Sequence, residues 1–325
     1  MATTRRTFIA GLASLGLLPR IVRAQRAARR ISWFGLGGPD DNLPYLSSLQ
    51  AGLRGAGWEE GRNLVIQRYS SLHAPDDFEQ VVREIVDAKP EVVVTHEFCT
   101  LAMQRFSIGV PVVFGYSGDP VEAKLVDNLA RPGTNFTGIS YLASELVGKR
   151  IEFLKEAMPD IQRIGILARP QHPGANEERR ASEEAATKLG LAVSWFPVFD
   201  AAQIEKAFAD IRDARCDALV VFPDSIMYRS REHISQLAAV ARLPAVSGWS
   251  SFADSGLLFN YGPNLREIYR GLATYVDRIL RGASPAELPV DRPRTIELIV
   301  NLRTARALGI RVSPSILVRA DRVID

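Results

Sequence analysis

Only two cysteines and four histidines occur in the 325 residues. Cys99 and Cys216 lie in different halves of the chain, each beside an apolar run. A disulfide-stapled fold is thereby excluded, and the pair reads as two buried thiols or as one bridge. His73, His96, His172 and His233 are scattered, and the one metal-like cluster, His96-Glu97-Cys99 leaving a strand, lacks the i, i+4 spacing of a helical ligand pair. No glycine-rich turn ends in Lys-Ser or Lys-Thr, which removes the P-loop, and no serine sits in a Gly-x-Ser-x-Gly elbow. The turn "GLGGPD" has Asp40 where a dinucleotide fingerprint needs its third small residue, and the second strand ends Gln67-Arg68-Tyr69-Ser70 without the acidic ribose partner. No metal and no cofactor is therefore expected. No apolar run reaches the length of a bilayer span.

What is present begins with a leader. "MATTRRTFIAGLASLGLLPRIVRAQ" sets Arg5 and Arg6 before an apolar run and ends in Val22-Arg23-Ala24, the pattern of an export signal over residues 1–24 cut after Ala24. The paired arginines point to the twin-arginine route, with an ordinary signal peptide as the alternative. Cleavage leaves 36 basic against 37 acidic residues, so the sequence pI near 8.9 belongs largely to the leader. A nearly neutral exported chain has no nucleic-acid footprint.

Beyond the leader, short runs rich in β-branched residues alternate with segments of helical period, the signature of parallel sheets with crossover helices. Strands are predicted at 30–36, 64–70, 91–96, 110–116 and 135–140, and again at 163–169, 192–198, 217–223, 243–248 and 256–262. Leu46, Leu49, Leu53 and Ala56 share one helix face, as do Phe78, Val82, Ile85 and Val86. Further helices are expected from Ser144 and near 175–189, 201–213 and 229–241. One rhythm thus runs twice, which predicts two Rossmann-like lobes of like topology. The remainder offers a long helix to Leu280, the apolar run "TIELIVNL" and a terminal helix. It is expected to cross back over a multi-strand hinge, with residues 30–140 plus about 262–282 forming one lobe and 141–261 plus about 283–325 the other.

Ligands of open parallel sheets bind beyond the carboxyl ends of the strands. A small zwitterion needs hydroxyls and backbone N–H groups for its carboxylate, one buried carboxylate for its ammonium and an apolar wall for its side chain. Thr95, Ser117 and Ser140 are candidate hydroxyls, Asp119 and Asp224 candidate anions, and Tyr116, Tyr141, Trp249 and Phe252 candidate walls. The plainer alternatives are a turn or capping role for Asp119 ahead of Pro120 and core packing for Trp249.

The stretch "GDPVEAKLVDNLARPGTNFTGIS" resembles the ABC transporter substrate-binding proteins that include the tryptophan and aromatic amino-acid binders. So do "GLRGAGWEEGRNLVIQRY", "YGPNLREIYRGLATYVDRILRGASPAELPV" and "ELIVNLRTARALGIRVSPSILVRADRVI", so the likeness covers residues from about 30 onward. It implies a type I periplasmic binding fold that closes on a small-molecule solute without converting it. The expected partners are an inner-membrane permease and its ATPase, with a monomeric receptor in the periplasm. By position, the cleft-lining loops would be the turn after Leu36 with Gly37, Thr95 to Phe98 (with His96 and Glu97), Tyr116 to Asp119, Arg169 with Gln171, Pro223-Asp224 and the loop at Trp249. Many relatives have smaller or polar residues where this chain has "THEFCT" and "RPQHP". His96, Glu97 and Arg169 bring charge and bulk, which widens the expected solutes to aromatic acids, short peptides and functionalised amino acids. The rival readings are a twin-arginine-exported cofactor enzyme and a ligand-sensing partner of a membrane receptor.

Overall fold

The computed structural model describes residues 28–38, 43–71, 77–106 and 109–325. The expected leader and the acidic turn at Asp40 lie outside them. The chain runs β1 (Arg29–Leu36), α1 (Leu43–Gly55), β2 (Leu64–Ser71), α2 (Phe78–Asp87), β3 (Val92–His96), α3 (Phe98–Phe106), β4 (Val112–Tyr116) and β5 (Phe136–Ser140). It continues α4 (Ala143–Ala157), β6 (Arg163–Ala168), α5 (Ala175–Lys188), β7 (Ala192–Pro197), α6 (Ile204–Asp213), β8 (Ala218–Val221), α7 (Ser225–Arg229), α8 (Arg231–Val240), β9 (Ala245–Ser247), α9 (Ser250–Ser255) and β10 (Phe259–Pro263). The last part holds α10 (Leu265–Leu280), β11 (Ile296–Asn301), α11 (Leu302–Leu308), α12 (Pro314–Arg319) and β12 (Arg322–Ile324).

The first sheet has the order β2-β1-β3-β4-β5, and β7-β6-β8-β9-β10 repeats that order within the second. All of these neighbours pair in parallel. The order reverses beside β1 and beside β6, and a crevice at such a switch point is where this topology accepts ligands. The second sheet is then extended by β11, antiparallel to β10, and by β12. "TIELIVNL" is thus a sheet strand. The expected single terminal helix is two, because Gly309 closes α11 in the left-handed region and Ser313 caps α12 ahead of Pro314.

Buried periodicity places the helices. Phe78, Val82 and Ile85 of α2 face the first sheet, joining Val93, Val112 and Phe114 in one core cluster. Helix α10 begins where Asn264 accepts the Glu267 N–H, and it packs along α1. At Gly52 that approach is so close that a Cβ would strike the Arg270 carbonyl. The first lobe therefore takes its covering helix from a segment more than 200 residues away.

The two lobes are connected three times. Residues 140–143 lead from β5 to α4, 263–265 from β10 to α10, and 291–296 from the first sheet's edge to β11. The third connector is tied to the first by Asp291, whose N–H donates to the Gly138 carbonyl while its own carbonyl accepts the Ser140 N–H. Leu142, on the first connector, holds a φ of 57°. Both cysteines are free thiols: Cys99 is buried on α3 and Cys216 partly buried.

Candidate ligand-binding site

The carboxyl ends of the two sheets meet across a closed seam enclosing a cavity of about 20 Å³. That volume has room for about one water. From the first lobe's sheet and the first connector come Leu36, His96, Glu97 and Tyr141, and from the helices α1 and α10 come Tyr45, Leu265 and Tyr269. The second lobe supplies Ser225, Tyr228, Arg229 and Trp249.

One end of the seam is aromatic. Tyr45 stacks on Tyr269 at 4.8 Å between ring centres, and Tyr228 lies 6.0 Å from both Tyr45 and Trp249, so the rings run from one lobe into the other. Trp33 backs the row, 5.6 Å from Tyr269 and 5.9 Å from His96. The Tyr141 and Tyr269 hydroxyls hydrogen-bond at 3.0 Å, which meets one polar need of each in the apolar wall. Tyr141 reaches this place because Gly115 has no side chain, since a Cβ there would collide with its hydroxyl. Burial holds His96 neutral, with its pKa down at about 4 and its Nε2 without a hydrogen-bond partner.

The other end is charged. Glu97 follows β3 with a φ of 49°, an uncommon conformation for a non-glycine residue. It accepts a 2.6 Å hydrogen bond from Ser117 Oγ, while its second oxygen has no partner. Burial, reinforced by Asp224, raises its pKa to about 7 against the opposing pull of His172 and Ser117. Asp224 caps α7 by accepting the Met227 N–H at 2.8 Å, and its free oxygen lies 4.0 Å from Arg169 Nη1. Arg169 in turn lies over the Phe98 ring, 4.6 Å from its centre. Burial alone would keep His172 neutral. The Glu178 carboxylate hydrogen-bonded to its Nε2 at 3.1 Å, aided by Glu97 and Asp224, raises its pKa instead. Glu178 also binds Arg150 at 3.1 Å, and Arg150 Nε donates to the Tyr261 carbonyl beside the second connector. His172 Nδ1 is buried without a partner.

The structure brings Leu36, His96, Glu97, Tyr141 and Trp249 of the sequence-nominated residues to the cavity wall, with Ser117, Phe98, Arg169 and Asp224 joined to it through Glu97 and its neighbours. Others lie apart. Asp119 is exposed and accepts the Val121 and Glu122 N–H groups, so it is a turn cap. Gln171 is exposed, and its neighbour His172 is the residue that turns inward. Thr95 and Phe252 are fully buried, Tyr116 packs in the first lobe's core, Pro223 is buried ahead of α7, Gly37 donates to the Ser71 carbonyl, and Ser140 is a connector residue. Sequence reasoning missed Tyr45, Ser225, Tyr228, Arg229, Leu265 and Tyr269, which come from helices rather than from strand ends. Among the described residues, no group of three or more His, Cys, Asp or Glu could hold a metal ion.

A model of the ABC transporter substrate-binding protein family matches residues 41–324. The tyrosine-binding protein of Clostridioides difficile (strain R20291) is 22% identical over 262 residues, 80% of this chain and 74% of that protein. Among solved structures, a conserved domain protein from Vibrio cholerae superposes with a TM-score of 0.85 at 26% identity, covering 91% of this chain and 99% of that one. The Streptococcus pneumonia ABC domain in complex with L-Trp gives 0.83 at 22% identity, with 92% and 100% covered. A ligand-free, open substrate-binding protein from Clostridium difficile gives 0.68 at 21%, with 91% and 99% covered. Twin sheets of one strand order, three connectors and a seam lined from both sides are the type I periplasmic binding fold, and the chain belongs to the ABC transporter substrate-binding protein family.

Proposed function

We propose that this protein captures an aromatic amino acid, or a close relative carrying both an aromatic ring and an amine, between its lobes. It then hands the solute unaltered to a membrane permease driven by an ATPase. The observation that carries the reading is the two-ended seam: aromatic rings from both lobes at one end, and at the other Glu97 and Asp224, each with an unpartnered oxygen, beside His172 and Arg169. A ring would lie among Tyr45, Tyr228, Trp249 and Tyr269. Its ammonium would meet Glu97 and Asp224, and its carboxylate would accept from His172 Nδ1 and the Ser225 hydroxyl.

The neighbours named for L-Trp and for tyrosine support this choice of solute. The higher TM-score to the L-Trp complex than to the open, ligand-free form agrees with the shut seam. Delivery to a permease, export to the periplasm behind a cleaved leader and action as a monomer follow from the family and the first 24 residues as parts of the same proposal. No helix of the described residues is long and apolar enough to cross a membrane.

Isothermal titration calorimetry with L-tryptophan, L-tyrosine, L-leucine and an aromatic acid without an amine tests it. The aromatic amino acids should bind at one site, with leucine and the amine-free acid at least tenfold weaker. Equal binding of leucine, or no binding by any aromatic compound, would overturn the reading.

A further inference from the structure

Helix α10 separates two hollows. At 100° per residue, Leu265 and Tyr269 point toward the seam, whereas Glu267, Arg270, Thr274 and Arg278 occupy the opposite side of the helix. That side forms the wall of a second groove of about 510 Å³, within the size range of small-molecule sites. Its other walls are the lobe connectors themselves: Ile139 leads into the first, Asn264 lies on the second, and Asp291 to Thr295 make up the third.

The groove is rich in arginine. Arg270, Arg278, Arg292 and Arg294 line it against Glu267 and Asp291, an excess of two positive charges. Arg292 reaches Glu145 at 3.5 Å. No carboxylate of the described residues forms a salt bridge with Arg270, Arg278 or Arg294, and all three are exposed. By contrast, Arg281 at the end of α10 pairs with Asp277 at 2.7 Å. Unpaired guanidinium groups converging on a concavity are suited to an oxyanion carrying two or more charges, which accepts forked hydrogen bonds from each. Thr274 adds a hydroxyl, and Tyr275 fixes the third connector by donating to the Pro289 carbonyl at 2.9 Å.

We propose that this groove on the hinge side of the molecule is a second ligand site, for a multiply charged small oxyanion such as a phosphate ester or a di- or tricarboxylate. The groove is walled by all three connectors, which must bend when the lobes part. An occupant therefore resists opening, and by linkage it tightens the hold on the solute by the factor with which the solute tightens the anion. This coupling rests on the solute reading above, whereas the anion site does not.

Calorimetry with inorganic pyrophosphate at low ionic strength tests the site directly, using the whole protein and the double variant R270A/R294A. One saturable site is expected, weakened at least tenfold in the variant, with the variant's melting temperature unchanged because both side chains are exposed. Absence of saturable binding, or equal affinity in the variant, would overturn the site. In the second arm, saturating pyrophosphate should lower the Kd for L-tryptophan several-fold in the native protein and leave it unchanged in the variant. An unchanged Kd in a native protein that binds both compounds would overturn the coupling.

Discussion

The aromatic and charged ends of the seam are built on different principles. The aromatic end is largely self-sufficient: rings stack on rings, and the Tyr141 and Tyr269 hydroxyls satisfy one another. The charged end is over-supported on one side and unmet on the other. His172 is held by Glu178, and Glu178 by Arg150, yet His172 Nδ1, Glu97 Oε2 and Asp224 Oδ2 are buried without hydrogen bonds. A buried polar atom left without a partner costs about 1–3 kcal/mol. The aromatic end thus meets most of its own needs, His96 Nε2 excepted, while in the proposed function the charged end is completed by the solute.

The comparison breaks most completely at its support. Arg150→Met leaves the buried Glu178 carboxylate with His172 as its remaining cationic partner, and the loss should be about 3 kcal/mol of folding stability in urea denaturation. At the aromatic end, Tyr228→Ala removes the ring that joins the two lobes' aromatics. It should weaken an aromatic solute by about 2 kcal/mol, roughly thirtyfold in Kd by calorimetry, with a much smaller change in melting temperature.

The pH response sharpens the contrast further. The Glu97 pKa is raised to about 7 from an ordinary value of 4.5, so its contribution to stability is complete below about 4.5 and is lost as the pH rises through 7. His96, lowered to about 4, acts in the opposite sense, its contribution present above 6.5 and lost as the pH falls toward 4. Thermal melts of the solute-free protein should therefore fall mainly between about pH 6.5 and 7.5, with His172, whose pKa is also raised, acting in the same sense, and Glu97→Gln should flatten that fall by a little under about 1 kcal/mol. The smallest effect marks the limit of the charged end. Asp119→Ala should cost about 1 kcal/mol of stability as a lost cap and leave solute affinity unchanged, because Asp119 faces solvent.

Much of the architecture was legible in the sequence because continuous β-branched runs and 3.6-period stripes were both strong. The buried β-branched strands at Val92–His96 and Val112–Tyr116 are examples, as is the Phe78, Val82, Ile85 stripe. The strand-end rule nominated His96, Glu97, Arg169, Asp224 and Trp249, which the fold gathers at or beside the cavity. It missed Tyr45, Tyr228 and Tyr269, since a helix residue's approach to a distant seam depends on packing angles that no local pattern encodes. Asp119 stayed ambiguous for a related reason. An aspartate before a proline looks alike whether it caps a turn or meets a ligand, and only the Val121 and Glu122 N–H groups decide between them.

The late position of α10 carries a consequence for the order in which the protein acquires its shape. Emerging from the ribosome, residues 29–140 present α1 with its Gly52 groove bare, and the partner that fills it arrives only with residues 265–280. The first lobe's α1 face is therefore completed only by a segment made near the end of the chain.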